Sequence, residues 1–296
     1  MPNSRQFPFV KLDVFTSRPL EGNQLAVFTD ARGLSDSEMQ SLAKEMNLSE
    51  TTFILPGEAA VERERGVRVR IFTVEEELPF AGHPTLGTAF YLQQQRGGEL
   101  IQLDLNVGKI PVRFETDENG MLIGEMTQRD PEFGVRHNGG DFALATGVPF
   151  EAIDWSLPIE TVSTGMPFVM VPLKSLDAMR DLTFDQHRAN EYLAKTDTKF
   201  VYWVTRETVT PGATLHARML FYNGEDPATG SAAGCCTAWA VRNGVLASDT
   251  QGLIEQGMEM RRPSFIRIRA TRAGESVTNI RVGGNVVEVM RGEALL

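Results

Sequence analysis

Ala232, Ala233, Gly234, Cys235, Cys236, Ala238, Trp239 and Ala240 leave almost no polar face on any helix they could form. A helix that is apolar all round has to be enclosed, because it has no side to show to water. That requirement dictates the surroundings: strands must wrap around it. Asp226-Pro227-Ala228-Thr229-Gly230-Ser231 opens this helix, which is expected to run to about Arg242, with Asn243-Gly244 stopping it. An earlier segment has the same form. Pro84, read as a helix N1 position, begins a helix from Thr85 to about Gln95, stopped by Gly97-Gly98. A sheet wrapped around a central helix, twice, accounts for both segments.

The elements between them fit that plan. Alternation over Phe9–Phe15 reads as a strand, followed by a turn-rich Thr16–Asn23 and an apolar strand Leu25–Phe28. Ser35 with Glu38 three residues later forms a capping-box pattern for a helix to about Met46, with Met39, Leu42, Ala43 and Met46 on one face. Glu50–Leu55 is a strand closed by Pro56-Gly57, and Val67, Val69 and Ile71 alternate with Arg68 and Arg70. The segment Glu62-Arg63-Glu64-Arg65, balanced in charge, reads as an exposed loop. Strands near 100–105, 110–115 and 121–126 follow.

After Pro131 the order repeats. Ser163-Thr164-Gly165-Met166-Pro167 resembles the earlier turn and leads into an apolar strand, Phe168–Val171, then a helical stretch near 185–195 and strands Phe200–Thr205 and Leu215–Tyr222. Gly22 to Gly165 is an offset of 143, Phe72 to Phe221 is 149 and Thr85 to Thr229 is 144, so an internal duplication is expected. The domains are read as 1–129 and 130–296, with the last strand, about 285–296, a candidate to pack back onto the first. The fold class is α+β: two pseudo-symmetric domains, each a curled, mostly antiparallel β-sheet or barrel around a central helix.

Composition narrows the function. The formal net charge of −10 and the pI near 5.0 do not suit a nucleic-acid binder, which needs a basic surface. A bilayer span needs about 20 apolar residues, and the longest run, Phe168–Leu173, falls far short. No membrane partner is therefore expected. The stretch from Met1 to Lys11 has no apolar core of signal-peptide length, so export is not expected. The two cysteines, Cys235 and Cys236, are adjacent and poorly placed for an unstrained disulfide, which suits a reducing cytoplasm. Within the buried helix they read as small core residues. His83 shows no ligand spacing to His137, His187 or His216, and neither a paired-cysteine motif nor a glycine-rich phosphate loop occurs. No metal and no cofactor are expected.

The chemistry concentrates at the two helix starts, Ala81-Gly82-His83-Pro84-Thr85 and Asp226-Pro227-Ala228-Thr229-Gly230-Ser231. The first turn of a helix presents free N–H groups and the positive end of a dipole, so each is a potential carboxylate site. Spacing alone also allows ordinary helix-start chemistry, with Asp226 as N-cap and Pro227 as N1. In a duplicated fold the two starts would face each other across a cleft. His83 alone reads as a structural histidine, and Glu50 alone as a solvated carboxylate at a strand start.

Four motifs sharpen this. Asp13-Val14-Phe15-Thr16-Ser17-Arg18-Pro19 with Gly22-Asn23, Asn47-Leu48-Ser49-Glu50-Thr51, Leu78 to Gly87, and Glu225 to Ala232 resemble, in order, the signatures of the phenazine-biosynthesis PhzF-like family. The resemblance covers essentially the whole chain. It implies the diaminopimelate-epimerase fold, a homodimer and a cofactor-free isomerase that moves a proton between carbons of a small carboxylate-bearing metabolite. It makes Glu50 the acid–base residue and His83 and Asp226 the residues flanking the reacting carbon. It makes Ser49, Gly82, Gly230 and Ser231 the residues holding the substrate carboxylate and neighbouring groups. One carboxyl can remove a carbon-bound proton and return it elsewhere on the same face. Cysteine-dependent epimerases of this fold use a thiol at each helix start; here those positions fall at Ala81 and at the Asp226–Pro227 step, which disfavours two-thiol racemisation. The family's known reaction is isomerisation of a dihydro-hydroxyanthranilate, and a fold alone does not fix a substrate. An amino-acid-type epimerase or racemase, a non-catalytic small-ligand-binding protein and a cysteine hydrolase are the other readings; the helix-interior cysteines argue against the last.

Overall fold

Local sequence signals set the first elements. The computed structural model describes residues 5–117, 120–198, 200–221 and 224–296. Met1 to Ser4, in the amino-terminal stretch considered above, and Tyr222, expected at a strand end, lie outside the described residues. β1 (Gln6–Val14) and β2 (Asn23–Phe28) pair antiparallel. Between them Phe15 and Leu20 have positive φ, and Gly22 at φ 70° turns the chain into β2. α1 (Asp36–Met46) begins with the full capping box, Ser35 and Glu38 each bonding the other's backbone, and ends at a left-handed Asn47. β3 (Thr51–Leu55) runs parallel to β2. Nearly every residue of β2 and β3 is buried, as expected of strands covered on both faces.

α2 (Ala59–Arg65) corrects the reading of Glu62–Arg65 as a loop. Its charges are tied down, since Glu62 accepts from the Gly57 N–H and the Arg96 guanidinium. β4 (Val67–Phe72) forms a hairpin with the short β5 (Glu77–Leu78). α3 (Gly82–Arg96) begins at Gly82, so Pro84 is the third helical residue and not the first; it still lies in the turn whose N–H groups have no helical partner. β6 (Leu100–Leu105) lies parallel to β4, and β7 (Gly108–Thr116) and β8 (Leu122–Thr127) add antiparallel strands. α3 packs against β1, β2, β3 and β6, and its first turns are buried.

The second unit repeats this plan. β9 (Glu132–Arg136), α4 (Gly139–Thr146) and β10 (Glu160–Ser163) precede β11 (Pro167–Pro172). α5 (Leu176–Arg180) and α6 (Gln186–Leu193) stand where α1 stands in the first unit, followed by β12 (Phe200–Thr205) and β13 (Leu215–Phe221). β14 (Gly224–Asp226), α7 (Gly230–Arg242), β15 (Gly252–Gln256), β16 (Ser264–Ala273) and β17 (Ser276–Gly284) complete the series. β10 to β15 pair in the same succession of directions as β1 to β6, including the parallel steps β11–β12 and β13–β15. α7 packs against β10, β11 and β16 and is buried on every side, as its composition requires.

The last strand, β18 (Val286–Leu295), pairs antiparallel with β1 from Gln6↔Leu295 to Val14↔Val286. The chain through Met126 together with Gly283–Leu296 forms one unit, and Thr127–Val282 the other. Each has a second core outside its sheet. In the first, α1 covers Phe28, Phe53 and Phe72, with Phe28 and Phe53 stacked at 4.8 Å. In the second, Phe142 of α4, Met179 of α5 and Leu193 of α6 pack in one cluster with Trp203 of β12.

Gly22 carries a specific steric demand. A Cβ there would sit 2.4 Å from the Val14 carbonyl oxygen at a φ that side chains rarely adopt. Gly22→Ala is expected to destabilise the protein by about 1–3 kcal/mol, measured by urea unfolding; an unchanged midpoint would remove this constraint.

Candidate active site

In the first unit, one group of candidate residues lies where the connector from α1 to β3 comes to β2 and the start of α3. Asn47 ends α1, so Leu48 and Ser49 form a short connector that delivers Glu50 to the start of β3. Ser49 is exposed, whereas the Glu50 side chain is only 17% exposed. His83, the second residue of α3, points its Nε2 at Glu50 Oε2, 3.5 Å away. Its other nitrogen, Nδ1, lies 3.2 Å from the amide nitrogen of Asn23, the buried first residue of β2. Gly82, also buried, precedes His83 at the helix start. Glu50, His83 and Gly82 are thus gathered in the first unit, with Ser49 beside them. Asn23 closes the first motif, at Gly22-Asn23, and the fold brings it 60 residues along the chain to the His83 ring.

Burial pushes the His83 pKa down to about 3, a backbone hydrogen bond at Gln24 opposing the shift. The ring is therefore neutral at physiological pH. An imidazolium at this distance would favour the Glu50 carboxylate and make it a weaker base. A neutral ring exerts no such pull on the carboxyl.

The second unit carries the other candidates, Asp226, Gly230 and Ser231. Asp226 ends β14 and is not the N-cap of α7; that position belongs to Thr229, and Gly230 is the first helical residue. Thr229 does not cap its own helix. Its hydroxyl donates instead to Asp226 Oδ2 at 2.6 Å. Ala81, at the same position of α3, has no side chain able to cap. By contrast α1, α4, α5 and α6 are each capped by a side chain, from Ser35, Asn138, Ser175 and Asp185, while the short surface helix α2 has no side-chain cap at Glu58. The two enclosed helices keep their first N–H groups clear of side-chain caps, as an anion site requires.

Matching bidentate forks pin the two hairpins: Arg70 Nε and Nη2 to Glu77, and Arg218 Nε and Nη2 to Glu225. Among the described residues there is no cluster of three or more His, Cys, Asp or Glu side chains suited to a metal, and no helix long and apolar enough to cross a membrane.

The profile of the phenazine biosynthesis-like (PhzC-PhzF) family matches residues 12–292. The trans-2,3-dihydro-3-hydroxyanthranilate isomerase of Pseudomonas aeruginosa is 34% identical over 293 residues, 97% of this chain and 99% of that protein. The chain belongs to the phenazine biosynthesis-like protein family. A PhzF-family protein of Bacillus anthracis superposes with a TM-score of 0.87 at 26% identity, covering 99% of this chain and 100% of that one. A predicted epimerase of Pseudomonas aeruginosa gives 0.80 at 36%, covering 97% and 99%. Relatives from several bacteria are named isomerases, and this chain is an isomerase of that family.

The structure shifts one correspondence within the family pattern. The N-caps Ala81 and Thr229 and the helix starts Gly82 and Gly230 match at an offset of 148, which pairs Thr85 with Ala233 and not with Thr229. The counterpart of Ala81 is therefore Thr229 and not the Asp226–Pro227 step. Neither residue is a thiol. Cys235 and Cys236 are fully buried, and burial raises both pKa values, that of Cys235 to about 11. Cys235→Ala and Cys236→Ala, made singly, are expected to keep full activity; ligand-protected stoichiometric inactivation by a thiol reagent would contradict this.

His216 is the electrostatic opposite of His83. Burial disfavours its charge, but hydrogen bonds to Glu255 at 2.8 Å and Glu259 at 3.0 Å outweigh that and raise its pKa to about 9. A raised pKa contributes stability present below the unfolded value of 6.5 and lost as pH rises through about 9. For His83 the sign reverses: its contribution is present above 6.5 and lost as pH falls toward about 3. The urea midpoint of the protein is therefore expected to decline from neutral pH to pH 10, and His216→Gln to be less stable but flatter over that range. An equally steep decline in the variant would refute the assignment.

Proposed function

We propose that the protein is a cofactor-free isomerase that moves a proton between carbons of a small carboxylate-bearing metabolite, with trans-2,3-dihydro-3-hydroxyanthranilate as the first substrate to test. The observation that carries this reading is the pair of Glu50 and neutral His83 at the uncapped start of an enclosed helix. Glu50 takes a carbon-bound proton as general base and returns it at another carbon as general acid. His83 orients the substrate and leaves Glu50 able to cycle between its two states. Gly82 on α3, and Gly230 and Ser231 on α7, offer backbone N–H groups for the carboxylate and adjoining groups, with Ser49 next to Glu50. Asp226 contacts a polar or amino group of the substrate, since its own charge would repel a carboxylate. The matched pairing orders of the two units support an internal duplication as the origin of the two helix starts.

The test is incubation with trans-2,3-dihydro-3-hydroxyanthranilate, and with a panel of small cyclic and amino carboxylates, in D₂O. Mass spectrometry and NMR then locate deuterium. A shifted double bond with exchange supports the isomerase, exchange with inversion at one carbon supports an epimerase, and no exchange on any compound defeats both. Glu50→Gln is expected to fold normally and lose about 10²–10⁴-fold in turnover; wild-type turnover in this variant would end the role assigned to Glu50.

A further inference from the structure

Gln256, the last residue of β15, is fully buried and uses every hydrogen-bonding capacity of its amide. Its Oε1 accepts from the Tyr202 hydroxyl at 2.8 Å and from the Thr229 N–H at 3.1 Å. Its Nε2 donates to the Asp226 carbonyl at 2.7 Å and to Thr229 Oγ1 at 3.0 Å. Only one amide orientation satisfies this set. Turned over, the nitrogen would meet the Thr229 N–H, donor against donor, and the oxygen would meet the Asp226 carbonyl, acceptor against acceptor. Because Nε2 can only donate, the Thr229 oxygen accepts there, and its own proton is directed to Asp226 Oδ2 at 2.6 Å.

This arrangement is not demanded by the fold, because the first unit lacks it. Leu78 pairs with Ile71 as Asp226 pairs with Met219, Ala81 is the N-cap of α3 as Thr229 is of α7, and Leu105 ends β6 as Gln256 ends β15. A polar trio thus replaces Leu78, Ala81 and Leu105, three apolar residues that serve the same packing positions. Buried polar groups add nothing to such packing that the apolar trio does not already supply. Their direction of donation converges on one carboxylate.

We propose that Gln256, acting through Thr229, is the positioning residue for the Asp226 carboxylate. It keeps the Thr229 hydroxyl off the helix it would otherwise cap and on Asp226, which fixes the carboxylate and favours its ionised form. The proposal rests on the assignment of Asp226 to substrate contact made above.

The experiment compares Thr229→Val, Thr229→Ser, Gln256→Leu and Asp226→Asn by crystal structure and by the pH dependence of deuterium exchange into trans-2,3-dihydro-3-hydroxyanthranilate. Thr229→Val is isosteric and carries the test if Gln256→Leu does not fold. In Thr229→Val the Asp226 carboxylate should leave its observed position, kcat should fall about tenfold with little change in KM, and the acidic limb of kcat/KM should move to higher pH. Thr229→Ser should restore all three. Within Asp226→Asn, adding Thr229→Val should cost nothing further. An Asp226 carboxylate that stays in place in Thr229→Val, or an acidic limb that does not move, overturns the proposal. Wild-type turnover in Asp226→Asn instead overturns the role of Asp226, while the crystal structures still decide whether the clamp holds it.

Discussion

Enclosing a helix inside a curled sheet removes its ends from water, and every other feature of the site follows from how those ends are satisfied. α7 is buried over almost its full length and α3 over its first turns, so their leading N–H groups need partners that water supplies freely to a surface helix. The surface and peripheral helices α1, α4, α5 and α6 use their own Ser, Asn or Asp for this. The enclosed ones do not, although Thr229 has the required hydroxyl.

The two units apply the same backbone to opposite electrostatic ends. In the first, burial holds His83 neutral 3.5 Å from the Glu50 carboxyl. In the second, His216 is held charged between Glu255 and Glu259, in a network that also reaches Arg218 and Glu225.

What the sequence shows and what it hides divide by range. The capping box at Ser35 and Glu38, the stop at Gly97, the burial of Cys235 and Cys236 and the strand alternation at Val67–Ile71 depend on neighbours a few residues away, and all are present. α2 was missed because balanced charge in a seven-residue segment looks the same in a loop as in a short helix; its partners Gly57 and Arg96 decide. Asp226-Pro227 has the composition of a helix start, yet pairing with Met219 draws Asp226 into a strand and moves the cap to Thr229. Glu50, His83 and Gly82 were legible through their motifs. Asn23 and Gln256 act across 60 and 27 or more residues, respectively, through contacts that no local pattern encodes.

The pairing of β18 with β1 joins residues at opposite ends of the chain, Gln6 with Leu295. The second unit is continuous in sequence, whereas the first is assembled from two separated segments. β18 is made after the whole of the second unit, so the edge of β1 that it covers waits longest for its partner, although Glu50 and His83 are made long before. The unit that carries Glu50 and His83 is therefore the one whose sheet is closed last, and a chain that stopped before β18 would leave the β1 edge unpaired.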